Sequence, residues 1–404
     1  MSYLYQYDQP GVRIENIKEI NGYSYVLGWE YNNNQTPKVN LYVSKIDSSG
    51  NQVWQKRFKY PDAVNSGSVK IHFEDITEAS SKELLLLAYD DVQALILKID
   101  DDGNLIWVKK YYDKNNTQLY YNRLSFRPRL HTLSEEYSIL VVQDIHSYNG
   151  GVRRLDYRFI KFQNDNGNFV DNKILETTNP KIIIRDQQSF KETIVLAGSD
   201  GKNICIFYVD INLRLSNTYK FNLGKSNSKR NYLHLFRLSS IKEGKFSAMG
   251  GYWSDQGNYI FVMNFDFYGL KATNSINISD KPWSQIAQDI ENVSDDHLIY
   301  YRGNLHSLSN SLNLNWTRKV EIAAINKRLT PINLNENYIY SYYSYPYQRG
   351  YYIISNSGTD YKTCETVEVE DNFNFERYEL IASTNRIELN AFNSIEYPQP
   401  QISL

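Results

Sequence analysis

Between residues 41 and 46, Leu41, Val43 and Lys45 alternate with Tyr42, Ser44 and Ile46, and this two-residue period predicts a strand. The strand runs into Asp47-Ser48-Ser49-Gly50-Asn51, and Val53 and Trp54 open the next one. An Asp followed by a polar pair and Gly-Asn is turn chemistry, because Gly accepts a positive φ and Asp bonds its own backbone. The unit is therefore a hairpin. It is written a second time, almost letter for letter, as Lys98-Ile99-Asp100-Asp101-Asp102-Gly103-Asn104-Leu105-Ile106-Trp107.

Aligning on the Asp and on the Gly three positions later finds the hairpin again. It recurs at Asn164/Gly167, Asp210/Leu213, Asp266/Gly269, Ser309/Leu312 (with Trp316 at the Trp54 position) and Ser355/Gly358. The steps are irregular and about fifty residues long, the period of four-stranded propeller blades. In the second repeat, 72–76, 83–89, 94–100 and 105–111 read as strands a to d; in the fifth, 232–237, 246–252, 259–265 and 273–278 do. No segment sustains an i, i+3, i+4 apolar pattern, so helix is not expected. The predicted fold is all-β: a seven-bladed β-propeller of four-stranded antiparallel blades over residues 1–370, its N-terminal strand helping to close the ring. A short C-terminal β hairpin and tail, 371–404, is expected to pack on it, with 378–381 and 386–389 as its strands. An eighth, incomplete blade made from 372–398 and 2–7 is the alternative.

The motif Lys-Ile-Asp-x-x-Gly-Asn-x-x-Trp-x-Lys, as it stands at Lys45–Lys56 and Lys98–Lys109, resembles the repeat of bacterial β-propeller proteins of the delta-60 and quinoprotein-like kind. The resemblance is clear in two blades and weaker in the others. It implies the architecture and, for those families, mostly binding or scaffold roles. Quinone-cofactor enzymes are a remote branch, and this chain has no adjacent cysteines to match them, so no cofactor is expected. Asp47 to Trp54 also looks like a sialidase-type Asp box, but it has an extra residue before the Gly and lacks a Ser or Thr two positions before the Asp.

Charge narrows the partners. With 44 Lys and Arg against 46 Asp and Glu the chain is near neutral, which gives no support to nucleic-acid or anionic-membrane binding. The apolar run Leu84 to Ala88 is far too short for a transmembrane span and fits a strand. The N-terminal residues show no basic-then-apolar signal peptide, so the expectation is a cytoplasmic protein or one exported by a leaderless route. Cys205 and Cys364 fall in different blades and read as small packing groups.

Candidate chemistry is sparse. Asp100–Gly103 and Asn164–Gly167 superficially resemble calcium-loop fragments but lack the closing carboxylate, and the six histidines form no close pair, so no metal site is expected. The first strands each bring basic residues toward the channel: Arg13, Lys70, Arg127 with Arg129, Arg185, Arg237 and Arg328. Together they would suit an anionic ligand, unless Glu15, Glu74, Asp75, Asp186 and Asp289 on the same strands neutralise them. Aromatic rings stand out in the b–c connections, with Tyr31, Trp253, Tyr345 and Tyr347 as candidates for a sugar face or a protein hot spot. The expected function is a non-enzymatic recognition or scaffold module that binds a glycan or protein through these loops, with Arg13, Arg127 and Arg237 as further ligand-binding candidates. One alternative is a glycoside hydrolase or lyase using Glu74, His72 and Arg185. The other is a structural or targeting subunit of a leaderless secreted toxin or injection assembly.

Overall fold

The repeated hairpin is built as its residues dictate. The Asp100 carboxylate accepts the amides of Asp102 (3.0 Å) and Asn104 (2.7 Å), and Gly103, at φ 77°, donates its amide to the Asp100 carbonyl (3.0 Å). Asp210 makes the same bonds to Asn212 (2.9 Å) and Arg214 (2.7 Å), although Leu213 holds the glycine position at φ 58°. The Asp carboxylates are thus engaged by their own backbone, as a turn requires.

The computed structural model describes residues 2–6, 12–31, 39–47, 52–59, 72–80, 82–89, 94–111, 128–147, 153–176, 182–201, 203–223, 232–239, 241–254, 257–266, 269–277, 288–293, 296–301, 304–309, 314–319, 328–334, 337–343, 349–355, 375–379 and 395–396. Among these residues the regular elements are all strands, sorted into seven antiparallel sheets. In order a to d, sheet 1 is Val12–Ile20, Tyr23–Tyr31, Val39–Ile46 and Gln52–Lys59. Sheet 2 is His72–Ser80, Glu83–Tyr89, Ala94–Ile99 and Leu105–Tyr111. Sheet 3 is Arg129–Thr132, Tyr137–Ser147, Arg153–Gln163 and Phe169–Glu176. Sheet 4 is Ile183–Phe190, Thr193–Ser199, Asn203–Asp210 and Leu215–Leu223. Sheet 5 is Tyr232–Leu238, Lys245–Ser254, Gly257–Asp266 and Gly269–Asn277. Sheet 6 is Gln288–Val293, Asp296–Tyr301, Asn304–Ser309 and Leu314–Lys319. Sheet 7 is Arg328–Leu334, Asn337–Tyr343 and Arg349–Ser355, and its fourth strand is Ser2–Gln6, with Ser2 opposite Ile354.

Strand a of each sheet touches strand a of the next, and that of sheet 7 returns to that of sheet 1. Two outer strands carry an extra strand: Phe375–Glu379 pairs with strand d of sheet 4, and Ile395–Glu396 with Lys109 and Lys110 of sheet 2. Of the two strands expected in the tail, 386–389 lies outside the described residues. Strands also run further than their patterns predict. Trp29 to Tyr31 and Gly251 to Ser254, read as connections, continue strand b: Tyr31 pairs with Val39 and Trp253 with Asn258.

The cores lie between neighbouring sheets. Leu27, Val43 and Phe58 of sheet 1 pack with Phe73, Leu86 and Leu97 of sheet 2; Leu85, Ile96 and Trp107 of sheet 2 pack with Leu140, Ile160 and Phe162 of sheet 3. Further clusters join sheets 3 and 4, where Cys205 is buried, and sheets 4 and 5. The middle strands of sheets 2, 3 and 4 are therefore covered on both faces. That is why Leu84 to Tyr89 is buried throughout with no polar alternation. A full burial of each such Leu or Ile contributes about 1.5–3 kcal/mol relative to exposure.

The repeated Trp and Lys join one sheet to the next. Trp54 Nε1 donates to the Asp101 carbonyl (2.8 Å), and Trp107 Nε1 to the Asn164 carbonyl (3.2 Å). A Cβ on Gly103 would lie 2.9 Å from Lys56 Cγ and 3.1 Å from the Trp54 ring; one on Gly167 would meet Lys109 Cγ at 2.7 Å and the Trp107 ring at 2.9 Å. Lys45 of the motif ion-pairs with Asp101 across the same joint. The Asp and Gly of the repeat thus shape the turn, and the Trp and final Lys seat on the turn of the next sheet.

Candidate functional site

The innermost strands carry most of the buried polar groups that link one sheet to another, and β-bulges aim them. Register skips from Ile14 to Asn16, Phe73 to Asp75, Ile184 to Asp186 and Leu235 to Arg237, each against strand b. A bulge takes a residue out of the ladder and turns its neighbour. The Asp beside the bulge caps the next amide: Asp75 Oδ1 accepts from Ile76 (2.9 Å) and Asp186 Oδ1 from Gln187 (3.0 Å). The second oxygen crosses to the following sheet. Asp75 Oδ2 accepts the Leu130 amide (3.1 Å), and Asp186 Oδ2 the Leu238 amide (2.9 Å).

Arg129, on the strand between them, completes the chain. Its Nη1 is 3.8 Å from Asp75 Oδ1 and its Nη2 is 3.6 Å from Asp186 Oδ1, and all three side chains are almost wholly buried. Lys18 of sheet 1 reaches Asp75 at 3.1 Å, and Asn16 donates to the Glu74 carbonyl at 2.9 Å. In the same layer His131 Nε2 meets Gln187 Oε1 at 3.0 Å. Burial lowers the His131 pKa to about 4, against the Gln187 bond and the Asp75 charge, which raise it.

The enzyme candidates fall on these strands without converging. Glu74 is the bulged residue of sheet 2, buried, and Arg185 that of sheet 4, half-buried; sheet 3 stands between them. Burial holds the Arg185 guanidinium below its usual value, with Arg237 acting in the same direction and Tyr157 opposing. His72 opens strand a of sheet 2 opposite Tyr89, and Arg13 stands opposite Trp29; their side chains are outside the described set. Lys70, Arg127, Tyr345 and Tyr347 lie outside the described residues. Tyr31 is the last residue of strand b in sheet 1 and Trp253 the last but one in sheet 5, so the strand order puts both at the b–c ends of their sheets. Among the described residues no group of three or more His, Cys, Asp or Glu is gathered for a metal, and no helix is long and apolar enough to cross a membrane.

The sequence leaves Arg129 either a ligand-binding cation or one neutralised by acids of the same strands, and it is neutralised, by Asp75 and Asp186; His131 enters the sequence reading only in the search for a metal site. The signal that reading passed over is a charged or amide residue followed by an apolar one in the first strand, as in Asn16-Ile17, Asp75-Ile76, Arg129-Leu130 and Arg237-Leu238. In sheet 4 the second position is Gln187, and that is where His131 bonds.

No protein-family model and no curated protein sequence matches the chain. Solved structures do. The Pan2 WD40 domain of Neurospora crassa superposes with a TM-score of 0.52 at 9% identity, covering 88% of this chain and 95% of that one. The β-propeller domain of Cps50 (Swd1) from Myceliophteria thermophila gives 0.51 at 8% identity, covering 88% and 100%. The fold is a β-propeller. Identities this low carry the fold alone, and the repeat resemblance stays at the level of the hairpin.

Proposed function

We propose that the chain is a ring-closed, seven-bladed propeller over residues 1–370, with 371–404 packed on it as a β appendage, acting as a non-catalytic recognition or scaffold module. Its partner is a protein or glycan surface bound at the b–c side, where Tyr31, Trp253, Tyr345 and Tyr347 belong. One observation carries the reading: Asp75, Arg129 and Asp186, acids and a base of the channel strands, are consumed in joints between sheets. Groups so engaged stabilise the ring and are poorly placed for proton transfer. The hairpin's resemblance to delta-60 and quinoprotein-like repeats supports a binding role.

The test is a glycan array and a panel of candidate protein partners, each paired with a hydrolysis screen, using the full chain. Saturable binding without turnover, weakened at least tenfold by Trp253→Ala or Tyr31→Ala, is expected. Turnover abolished by Glu74→Gln would replace this reading with a hydrolase.

A further inference from the structure

In every sheet one residue of strand a pairs with the fifth residue of strand b. The pairs are Asn16 with Leu27, Asp75 with Leu87, Arg129 with Val141, Asp186 with Ala197, Arg237 with Met249, Asp289 with Tyr300 and Arg328 with Ser341. Taken in sheet order, this one register position reads Asn, Asp, Arg, Asp, Arg, Asp, Arg. Carboxylate and guanidinium alternate from sheet 2 to sheet 7.

The described joints show what the alternation does. Arg129 stands between Asp75 and Asp186, and each Asp also binds the amide that follows the Arg of the next sheet, Leu130 or Leu238. Putting two sheets of the same sign side by side would bury like charges, which is strongly disfavoured. In a cycle of odd number, alternation must fail once. It fails at Asn16, which is neutral and donates to the Glu74 carbonyl, while Lys18 two residues on supplies the cation that Asp75 needs on that side.

We propose that these positions form one charge-alternating belt that fixes which sheets abut, and that Asn16 marks a built-in seam between sheets 7 and 1 where the ring opens first. The proposal rests on the seven-sheet ring above. By register Asp289 stands between Arg237 and Arg328 as Arg129 stands between Asp75 and Asp186, and the next register position after Arg328 is the neutral Asn16.

Two charge swaps in the full chain test it. Exchanging Arg237 and Asp289 (Arg237→Asp with Asp289→Arg) creates like-charge neighbours on both sides. Exchanging Asp289 and Arg328 (Asp289→Arg with Arg328→Asp) creates them on one side only, because Asn16 is neutral. The first swap should lower the Tm by clearly more than the second, or prevent folding where the second permits it. Equal shifts would mean isolated pairs and overturn the belt. If neither swap folds, Arg237→Met, Arg328→Met and their double variant decide: a double loss larger than the sum supports the belt, because Asp289 then keeps neither cation, and additive losses sink it.

The seam is read on the unmodified protein by native-state amide exchange. Strands Val12–Ile20 and Arg328–Leu334 should open before Arg129–Thr132 and Ile183–Phe190; the reverse order would remove the seam. A solved structure with another number of sheets would defeat the ring reading itself, whereas seven sheets with equal swaps defeats only the belt.

Discussion

Asp171 of sheet 3 and Leu213 of the following turn stand at the positions that hold Trp and Gly in the first two joints. Four positions after Gly50 and Gly103 stand Trp54 and Trp107, each reaching over a glycine in the next sheet; four after Gly167 stands Asp171, and the next turn has a leucine. Leu213 is buried in the cluster between sheets 3 and 4 at φ 58°, while Lys173, at the position of Lys56 and Lys109, reaches the Asn212 carbonyl (3.4 Å). Where no indole arrives, a side chain fills the joint at the expense of a strained backbone.

Asp171→Trp alone should therefore collide with Leu213, and Leu213→Gly alone should leave a void, each costing about 1–3 kcal/mol. Together they restore the arrangement of the first two joints, and the double variant should lose less than the sum. Urea unfolding of the four proteins measures it; strict additivity would show that the two positions do not meet.

Gly103→Ala combines an unsuitable φ of 77° with a Cβ 2.9 Å from Lys56 Cγ. A loss of roughly 2–4 kcal/mol is expected from strain and overpacking together. The denaturation midpoint should fall with an unchanged m-value. An unaltered midpoint would mean that Trp54 does not seat on this turn.

Arg129→Met takes from Asp75 and from Asp186 the guanidinium that stands between them, with both carboxylates still buried. Removing one partner from a buried ionic group costs about 3–5 kcal/mol. Thermal melts of the variant should show a Tm many degrees lower, while Arg129→Lys, which keeps the charge, should fall between it and the parent.

Acid should weaken the protein through His131. Its folded pKa, about 4, lies below the unfolded value of 6.5, so the unfolded chain takes up a proton first. Stability is complete above 6.5, falls as pH drops toward 4, and changes no further below it on this account. In paired pH titrations of stability, His131→Asn should show a shallower loss over that window than the parent. Parallel curves would remove His131 from the explanation.

Deleting residues 375–404 uncovers the outer strands of sheets 2 and 4, to which Phe375–Glu379 and Ile395–Glu396 are paired. Open edges invite pairing between molecules. Light scattering should detect self-association, or calorimetry a Tm lower by several degrees. A truncated protein that stays monomeric and melts unchanged would make the tail a tether for a partner.

The strands were legible in the chain because turn chemistry and two-residue alternation are local properties. Glu83–Tyr89 and Leu105–Tyr111 fall where their patterns place them. Strand ends were less so: Trp253 sits in a ladder with Asn258 and Tyr232, and pairing of that kind depends on distant segments, not on the run's own composition. The first strands were legible only as a choice, for the same reason. Arg129 reads either as a ligand-binding cation or as one neutralised by acids such as Asp75 and Asp186, and only the pairing of three sheets decides for the second. What the chain could not show locally was which charges meet.

Sheet 7 joins strands that are far apart in the chain. Ser2–Gln6 leaves the ribosome before every strand of sheets 1 to 6, and its partner Arg349–Ser355 after all of them. At ordinary translation rates the early strand waits on the order of tens of seconds for that partner. The six sheets between can stack as they emerge, but the final joint cannot be made until the far end arrives. A change in Ser2–Gln6 that delays or blocks its pairing would act on the joint made last among the seven sheets, after the other six have their strands.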